Sequence, residues 1–574
     1  MKDFLSYLRP YKRDAIAAIF CIEAETVFEL IIPLVMASIV DVGVANGDRH
    51  YILMKGGQMI LFALISLVLG QGSALFSARV GQGLGAEIRK AEFAKLQEFS
   101  FSNTDHFSTA SLVTRLTSDV TTIQNSVAGG MRPGFRSPVM MLTAMAASFY
   151  INPQLAIVFF IAAPILGIML FSIIRKVRPL YSVMQGAIDL VNRIIQENLT
   201  AIRVVKSYVR GDYEVQKFEE VNHNLRFTAE KAFSLAVLNM PAMQLVMYGT
   251  ILAILWFGGN MTVMGNVQVG ELTGFLSYVL QVLNSLMMLS GVFLMATRAL
   301  ASWRRISQVM NEEIDIKDQP GSTFTVEKGD VRFDHVSFKY SLEAEEYVLS
   351  DISFHILPGQ TVGIIGQTGS AKSTLVQLIP RLYEATEGTV SIDGRPVKDY
   401  PLKNLRDSIA MVLQKNTLFS GTVKDNLRWG KEDATDQEIQ EACAIACVDE
   451  FIDRLERGYD TELGQGGVNV SGGQKQRLCI ARAILKHPKV LILDDSTSAV
   501  DTATEARIRE GLSRHLPNTT KIIIAQRITS VMEADQILIL QDGKILAAGN
   551  HRTLLDTCPV YQDIYHSQQE GANL

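Results

Sequence analysis

At 574 residues the chain is too long for one domain, and length alone suggests about three or four folding units. Its bulk composition is ordinary, with 48% hydrophobic residues, 20% charged residues and a net charge of -5. That mild acidity, with no basic stripe and no aromatic-basic interleaving, excludes nucleic acid as a partner.

The averages conceal two unlike halves. Residues 1–310 contain long apolar stretches, 311–328 are polar, 329–568 read as a soluble α/β sequence, and 569–574 form a short tail. From the N-terminus, KDFLSYLRP (2–10) reads as a short amphipathic helix at a membrane interface. Lys2, Arg9, Lys12 and Arg13 then lead into an apolar stretch too long for a cleavable signal, which is expected to be a first span. Crossing a ~30 Å hydrocarbon core takes roughly 20 apolar residues. Six segments qualify, near 15–40, 54–76, 134–151, 155–174, 235–257 and 272–296, with Asn152-Pro153 as a tight turn between the third and fourth.

Basic residues crowd the N-terminus and the polar segments 77–133 and 175–231, whereas the opposite connections (41–53, 152–153 and 258–270) hold only Arg49. By the positive-inside rule both termini, both long segments and the soluble half face the cytoplasm of a multi-pass cell-membrane protein. Each long segment is helix-compatible. A pair of ~25-residue helices would carry each turn ~35–40 Å below the bilayer, a length that suits a lever touching a cytosolic motor.

Glu23, Glu25 and Glu29 interrupt the first span at mid-membrane depth, and Glu25 and Glu29, four apart, share a helix face. Intramembrane acids face a cavity or a partner. Two readings stand: a water-filled substrate cavity that draws cations, or hydrogen bonding to neighbouring helices.

The five cysteines are scattered as Cys21, Cys443, Cys447, Cys479 and Cys558. Cys443 and Cys447 lie one helical turn apart, but no second pair or histidine stands at ligand spacing, so a buried helix face is expected.

Past the Pro320-Gly321 turn signal, TVGIIGQTGSAKSTLVQLI is an apolar strand, a Gly-rich turn and a helix start. Gly366, Gln367, Thr368, Gly369, Ser370, Ala371, Lys372, Ser373 and Thr374 form a phosphate loop. Backbone N–H groups at the helix start wrap phosphates, Lys372 neutralises them and Ser373 offers its hydroxyl to Mg2+. Ala371 stands where the pattern has a final glycine. Further on, KVLILDDSTSAVD is a buried strand ending in acids, and Asp494 is placed to hold Mg2+ through water. Between them Ser471-Gly472-Gly473-Gln474 opens a helix with a second phosphate-binding start.

In this order and spacing the motifs are specific. The chain resembles the ATP-binding cassette (ABC) exporters of the half-transporter type over essentially its whole length. The resemblance implies a membrane all-α half of six spans with long cytoplasmic extensions, fused to an α/β P-loop cassette with a helical subdomain. It further implies that Tyr340 stacks on adenine, that Gln414 is the Q-loop glutamine sensing Mg2+, that Ser471–Gln474 is the signature with Val470 in place of leucine, and that Ser498-Ala499-Val500-Asp501 is the D-loop. RLTSDVTTIQ (115–124) and ENLTAIRVVKSY (197–208) resemble the levers around the coupling helices, and 256–278 the junction of the fifth and sixth spans.

Two departures carry weight. The family's general base is a glutamate after the Walker B aspartate; here it is Asp495, whose carboxylate falls back by about 1.5 Å. A general base must lie within about 2.6–3.2 Å of its water. The family's switch histidine is here Gln526, which cannot change charge. With Ala371 these imply a degenerate site beside an intact signature, as in one subunit of bacterial heterodimeric multidrug exporters. The expected partner is a second half-transporter with an intact glutamate, the expected ligands are ATP and Mg2+, and the expected cargo is small lipophilic or cationic compounds moved through membrane lipid. A homodimeric lipid or peptide transporter and an ATP-gated channel or regulator are the alternatives.

Overall fold

A computed structural model describes residues 2–319, 321–496 and 499–570; Pro320 of the expected linker and Ser498 of the expected D-loop lie outside them. The chain folds as two compact units. One runs to Gln97 and resumes over Ala110–Asn311; the other joins Glu98–Thr109 to the chain from Glu312 onward.

The first unit is helical. It comprises α1 (Lys2–Tyr7), α2 (Lys12–Ser38) and α3 (Arg49–Gln97); after α4 (Phe101–His106), which belongs to the second unit, it continues with α5 (Thr109–Thr114), α6 (Val120–Ile151), α7 (Pro153–Thr200), α8 (Ile202–Ser207), α9 (Gly211–Val237), α10 (Asn239–Val263) and α11 (Val269–Met310). Among the described residues five helices are long and apolar enough to cross a membrane: Arg9–Val44, Arg49–Gln97, Pro153–Thr200, Gly211–Val263 and Val269–Met310. The third expected span, 134–151, lies in α6, which is not among the five; Arg136, Ser137 and Pro138 dilute the apolar character of that stretch. Helices α3 and α7 are unbroken over 49 and 48 residues. At 1.5 Å per residue each is about 70 Å long, so span and extension form one rod. Asn152 caps the turn between α6 and α7 by accepting from the N–H groups of Gln154 (2.9 Å) and Leu155 (3.0 Å). The second long segment turns through α8, inside the 197–208 stretch singled out by sequence.

Two of the three acids of the first span, Glu25 and Glu29, have partners on α6. Glu25, only 3% exposed, accepts from Arg132 Nη2 at 2.5 Å, and Glu29 pairs with Arg136. Acids four apart on α2 thus meet bases four apart on α6, so the repulsion expected along α2 is cancelled across the helix pair. Gly70 of α3 lets the pair seat, since a Cβ there would lie 2.9 Å from Glu25 Oε1. Nearby, Asp41 caps α11 through the N–H groups of Gly270 (2.5 Å) and Glu271 (3.0 Å), and Tyr278 donates its hydroxyl to the Leu30 carbonyl at 2.7 Å. Within RLTSD, Asp119 accepts from Ser302 (2.9 Å) and Arg305 Nε (2.7 Å), tying the start of α6 to α11.

The second unit has strands β1 (Val331–Phe338), β2 (Leu349–Ile356), β3 (Thr361–Gly366), β4 (Glu387–Ile392), β5 (Arg395–Pro396), β6 (Ile409–Val412), β7 (Gly421–Thr422), β8 (Glu462–Leu463), β9 (Val490–Asp494), β10 (Thr520–Ile524), β11 (Gln536–Gln541) and β12 (Lys544–Gly549). Its helices are α12 (Lys372–Gln377), α13 (Leu402–Ser408), α14 (Val423–Arg428), α15 (Asp436–Ile445), α16 (Asp449–Ile452), α17 (Gly472–Leu485), α18 (Thr502–His515), α19 (His551–Thr557) and α20 (Pro559–Glu570). The central sheet has the order β12-β11-β3-β10-β9-β6, parallel except for β12. Strand β9 is buried along its whole length, the uninterrupted apolar run of a parallel strand covered on both faces. An antiparallel sheet, β2-β1-β4-β5, completes the frame.

Helix α4 joins this unit through specific contacts. Ser100 and Asn103 form a capping box, Asn103 Nδ2 donates to the Glu313 carbonyl (2.8 Å), and Tyr383 donates its hydroxyl to Asp105 (2.7 Å). The polar stretch expected as a linker is held on the same unit. Asp318 accepts from the Leu402 N–H at 2.7 Å, and Ile316 and Val326 are buried. Cys443 and Cys447 lie in the helical core, where burial pushes the Cys443 thiol up to about 12 and Cys447 Sγ accepts from Arg507 at 3.2 Å.

If the Glu25–Arg132 pair fastens α2 to α6, Glu25→Gln leaves an uncompensated cation and should lower the apparent unfolding midpoint in detergent by several degrees. The double variant Glu25→Gln/Arg132→Gln should recover most of that loss, because removing both charges of a buried pair is milder than removing one. Equal midpoints for the single and double variants would contradict the pairing.

Candidate nucleotide site

Strand β3 ends at Gly366, where a Cβ would run into the Leu540 carbonyl of the neighbouring strand, so only glycine fits. The loop turns through Gly369 (φ 87°) and Ala371 (φ 68°) before α12 begins at Lys372. Ala371 occupies left-handed backbone, which costs an L-residue with a Cβ about 1–2 kcal/mol and which glycine adopts freely. The alanine that departs from the sequence pattern is therefore a point of backbone strain.

Lys372 Nζ donates to the carbonyls of Gly366 (2.9 Å) and Gln367 (2.8 Å), folded over the loop it serves. Burial pushes the ammonium below its ordinary range, opposed by the carboxylates of Asp495 and Asp494. Ser373 donates its hydroxyl to Asp494 Oδ1 at 2.9 Å, joining loop and strand end directly. Asp494 is 2% exposed, and burial raises its carboxyl against the pull of Ser373. These oxygens and the Gln414 amide just beyond β6 line one cleft, a hard-oxygen donor set that fits Mg2+.

That cleft, of about 300 Å3, brings together Thr368, Gly369, Ala371, Lys372, Ser373, Thr374, Gln414, Asp494, Asp495 and Gln526. Val348 and Ile524 also line it; neither was marked by motif, since one apolar residue in a strand-rich stretch looks like any other. Asp495 lies in left-handed backbone (φ 48°), with its N–H donating to the Ile524 carbonyl at 3.1 Å. Gln526 Nε2 donates to Asp495 Oδ2 at 2.7 Å, so the two residues that depart from the family pattern are bonded to each other. Burial raises the Asp495 carboxyl, with the Gln526 bond and Lys372 opposing.

Tyr340 is half exposed and is fixed to the loop by a 2.8 Å hydrogen bond between its hydroxyl and Thr374 Oγ1. Its ring stands edge-on to Phe338 and Tyr383, leaving the ring the exposure a stacked base needs.

The signature residues are not among those that line the cleft. Ser471 caps α17 by accepting from the Gln474 N–H (3.3 Å), and Gln474 Oε1 accepts from the Ser471 N–H (2.8 Å), closing a capping box at the helix start. Gly473 packs where a Cβ would come 2.8 Å from the Ala499 carbonyl, whereas Gly472 is exposed and has only Ala499 Cβ at 3.7 Å. Asp501 caps α18 by accepting from the Thr504 N–H at 2.9 Å, which holds its carboxyl below the ordinary range.

A phosphate loop on a parallel sheet, an acid at the end of the strand two places along, a signature helix and, in the same chain, long apolar helices define an ATPase-coupled membrane transporter. Residues 15–286 match the ABC transporter transmembrane region and residues 349–498 the ABC transporter ATP-binding region. The chain belongs to the ABC transporter family and is an exporter half-transporter, with transmembrane and ATP-binding domains fused in one multi-pass membrane chain. It is 40% identical over 574 residues, covering 100% of both chains, to YfiB of Bacillus subtilis, an uncharacterized ABC transporter ATP-binding protein. It is 32% identical over 496 residues, 86% of each chain, to the ATP-dependent lipid A-core flippase of Desulfotalea psychrophila. It is 31% identical over 582 residues, 99% of this chain and 100% of the other, to a Staphylococcus aureus ATP-binding/permease protein named for multidrug export. Its fold matches a bacterial Atm1-family ABC exporter solved with ATP bound, at a TM-score of 0.83 and 24% identity over 97% of this chain and 99% of that one.

Two substitutions test the loop. Lys372→Ala should strongly reduce labelling of this chain by a photoreactive ATP analogue, and unchanged labelling would count against the assignment. Ala371→Gly removes a strained methyl and should tighten nucleotide binding by a factor of several, the equivalent of up to about 1 kcal/mol. Weaker binding by Ala371→Gly would show that the strain is harmless.

Proposed function

We propose that this chain is the degenerate-site half of a heterodimeric exporter of lipophilic or cationic compounds. Both termini and the ATP-binding domain face the cytoplasm, and α6 supplies the sixth span. Lys372 and the loop N–H groups hold the phosphates, and Tyr340 stacks on the base. Ser373, Gln414 and Asp494 would hold Mg2+, which neutralises phosphate charge. Hydrolysis at this Walker side is slow. The signature Ser471–Gln474 completes a second, competent site on the partner half-transporter, which carries the glutamate and histidine this chain lacks.

The observation that carries the reading is the hydrogen bond from Gln526 Nε2 to Asp495 Oδ2. The shortened acid already has an amide on one oxygen, where a base must hold a water. Loss of a positioned base typically slows a reaction by about 10²- to 10⁴-fold, equivalent to about 3–5 kcal/mol. A homodimer would carry that defect twice. For the cargo, two relatives, one named for lipid A-core flipping and one for multidrug export, both favour lipophilic compounds. Cation preference rests on Glu23, since Glu25 and Glu29 are neutralised by Arg132 and Arg136.

In the reconstituted heterodimer Asp495→Asn should change steady-state ATPase only modestly. Gly472→Glu should nearly abolish it; the exposed position admits the side chain without disturbing Ala499, so the loss would arise across the subunit interface. Greater sensitivity at Asp495 than at Gly472 would overturn the reading.

A further inference from the structure

Helix α20 is anchored by residues that take no part in the phosphate loop. Tyr561 is fully buried with its hydroxyl 2.6 Å from His551 Nδ1, and Ile564 and Tyr565 pack on the helical core. Further along, Gln568 uses both ends of its amide. Its Oε1 accepts from the Ile528 N–H at 2.8 Å, and its Nε2 donates to the Gln526 carbonyl at 2.9 Å. The two peptide groups flank Arg527, so one side chain grips the switch segment on both sides. From the same segment the Gln526 side chain reaches Asp495 at 2.7 Å. Three hydrogen bonds therefore run from the C-terminal helix to the acid in the cleft.

The chemistry of the grip is specific. A primary amide offers one acceptor and two donors, which matches an N–H and a C=O presented side by side. A carboxylate could accept from Ile528 but would face the Gln526 carbonyl with no donor. Strand β10 ends at Ile524, two residues before Gln526, so beyond it this segment has no ladder to set its direction.

We infer that Gln568 is a positioning residue for the nucleotide site: by clamping the backbone of Gln526 and Ile528 it fixes the Gln526–Asp495 bond, and with it the geometry facing the terminal phosphate. The inference rests on the proposed assignment of Asp495 and Gln526 to the base and switch positions. It makes the C-terminal helix part of how long this site retains ATP.

The test uses the full-length chain in nanodiscs, with MgATP and MgADP as probes displacing a fluorescent nucleotide. Gln526→Ala and Gln568→Ala should each weaken MgATP by about three- to tenfold, the effect of one or two net hydrogen bonds, while MgADP changes by less than about twofold. The double variant should be no weaker than either single one, because both act on the same bond. Gln568→Glu, which keeps the acceptor and loses the donor, should behave like the alanine variant, and it carries the test should Gln568→Ala fail to fold. If Gln526→Ala lowers MgATP affinity selectively but the Gln568 variants match wild type, weaken both nucleotides equally, or add to Gln526→Ala, the positioning role is wrong and the site assignment survives. If Gln526→Ala leaves MgATP binding unchanged, the switch assignment itself falls, and the role of Gln568 falls with it.

Discussion

The register of three parallel strands governs the nucleotide site. Ile524 of β10 pairs with Ile364 of β3 on one side and with Asp494 of β9 on the other. That alignment brings the end of the phosphate loop's strand, the buried acid, and the segment carrying Gln526 to one edge of the sheet. The Ser373–Asp494 bond and the Gln526–Asp495 bond both follow from it. A slip of one residue in any of these strands would turn alternate side chains to the opposite face and scatter the cleft. The apolar runs of β9 and β10, buried throughout, resist that slip.

On this frame, small chemical changes have local effects. A methyl at Ala371 strains one backbone position. On the proposed assignment, a missing methylene at Asp495 and an amide at Gln526 put a self-bonded pair where the family has a water-activating one. Each leaves the strands, Lys372 and Ser373 in place, which is the combination expected of a site that retains nucleotide while turning it over slowly. The signature helix is untouched by these changes: its start is capped by Ser471 and Gln474, and its residues are not among those that line the cleft.

Much of this was legible in the sequence, because the phosphate loop, the buried acidic strand end and the signature are contiguous motifs whose backbone requirements select their residues. The long helices were legible as extended apolar and helix-compatible stretches, which continue through the prolines inside α2, α6 and α7. What escaped was carried by single contacts between distant residues. Arg132 and Arg136 belong to no motif in the sequence and gain their meaning only beside Glu25 and Glu29, although the matching four-residue spacing is present there. The attachment of 98–109 to the ATP-binding unit depends on the Asn103 amide and on Tyr383, neither of which belongs to a repeat or an amphipathic pattern. Gln568 is one glutamine in a polar helix, and its role depends wholly on where α20 comes to rest.

The most direct test of the account is the chemical identity of the nucleotide retained by this chain under turnover. The heterodimer would be supplied with a photoreactive ATP carrying separate labels on its base and terminal phosphate, irradiated during steady hydrolysis, and the adduct on this chain's loop peptide analysed. The account predicts that both labels remain together, meaning intact ATP at this site while the partner's site turns over. An adduct that has lost the terminal phosphate at the overall rate of hydrolysis would contradict it.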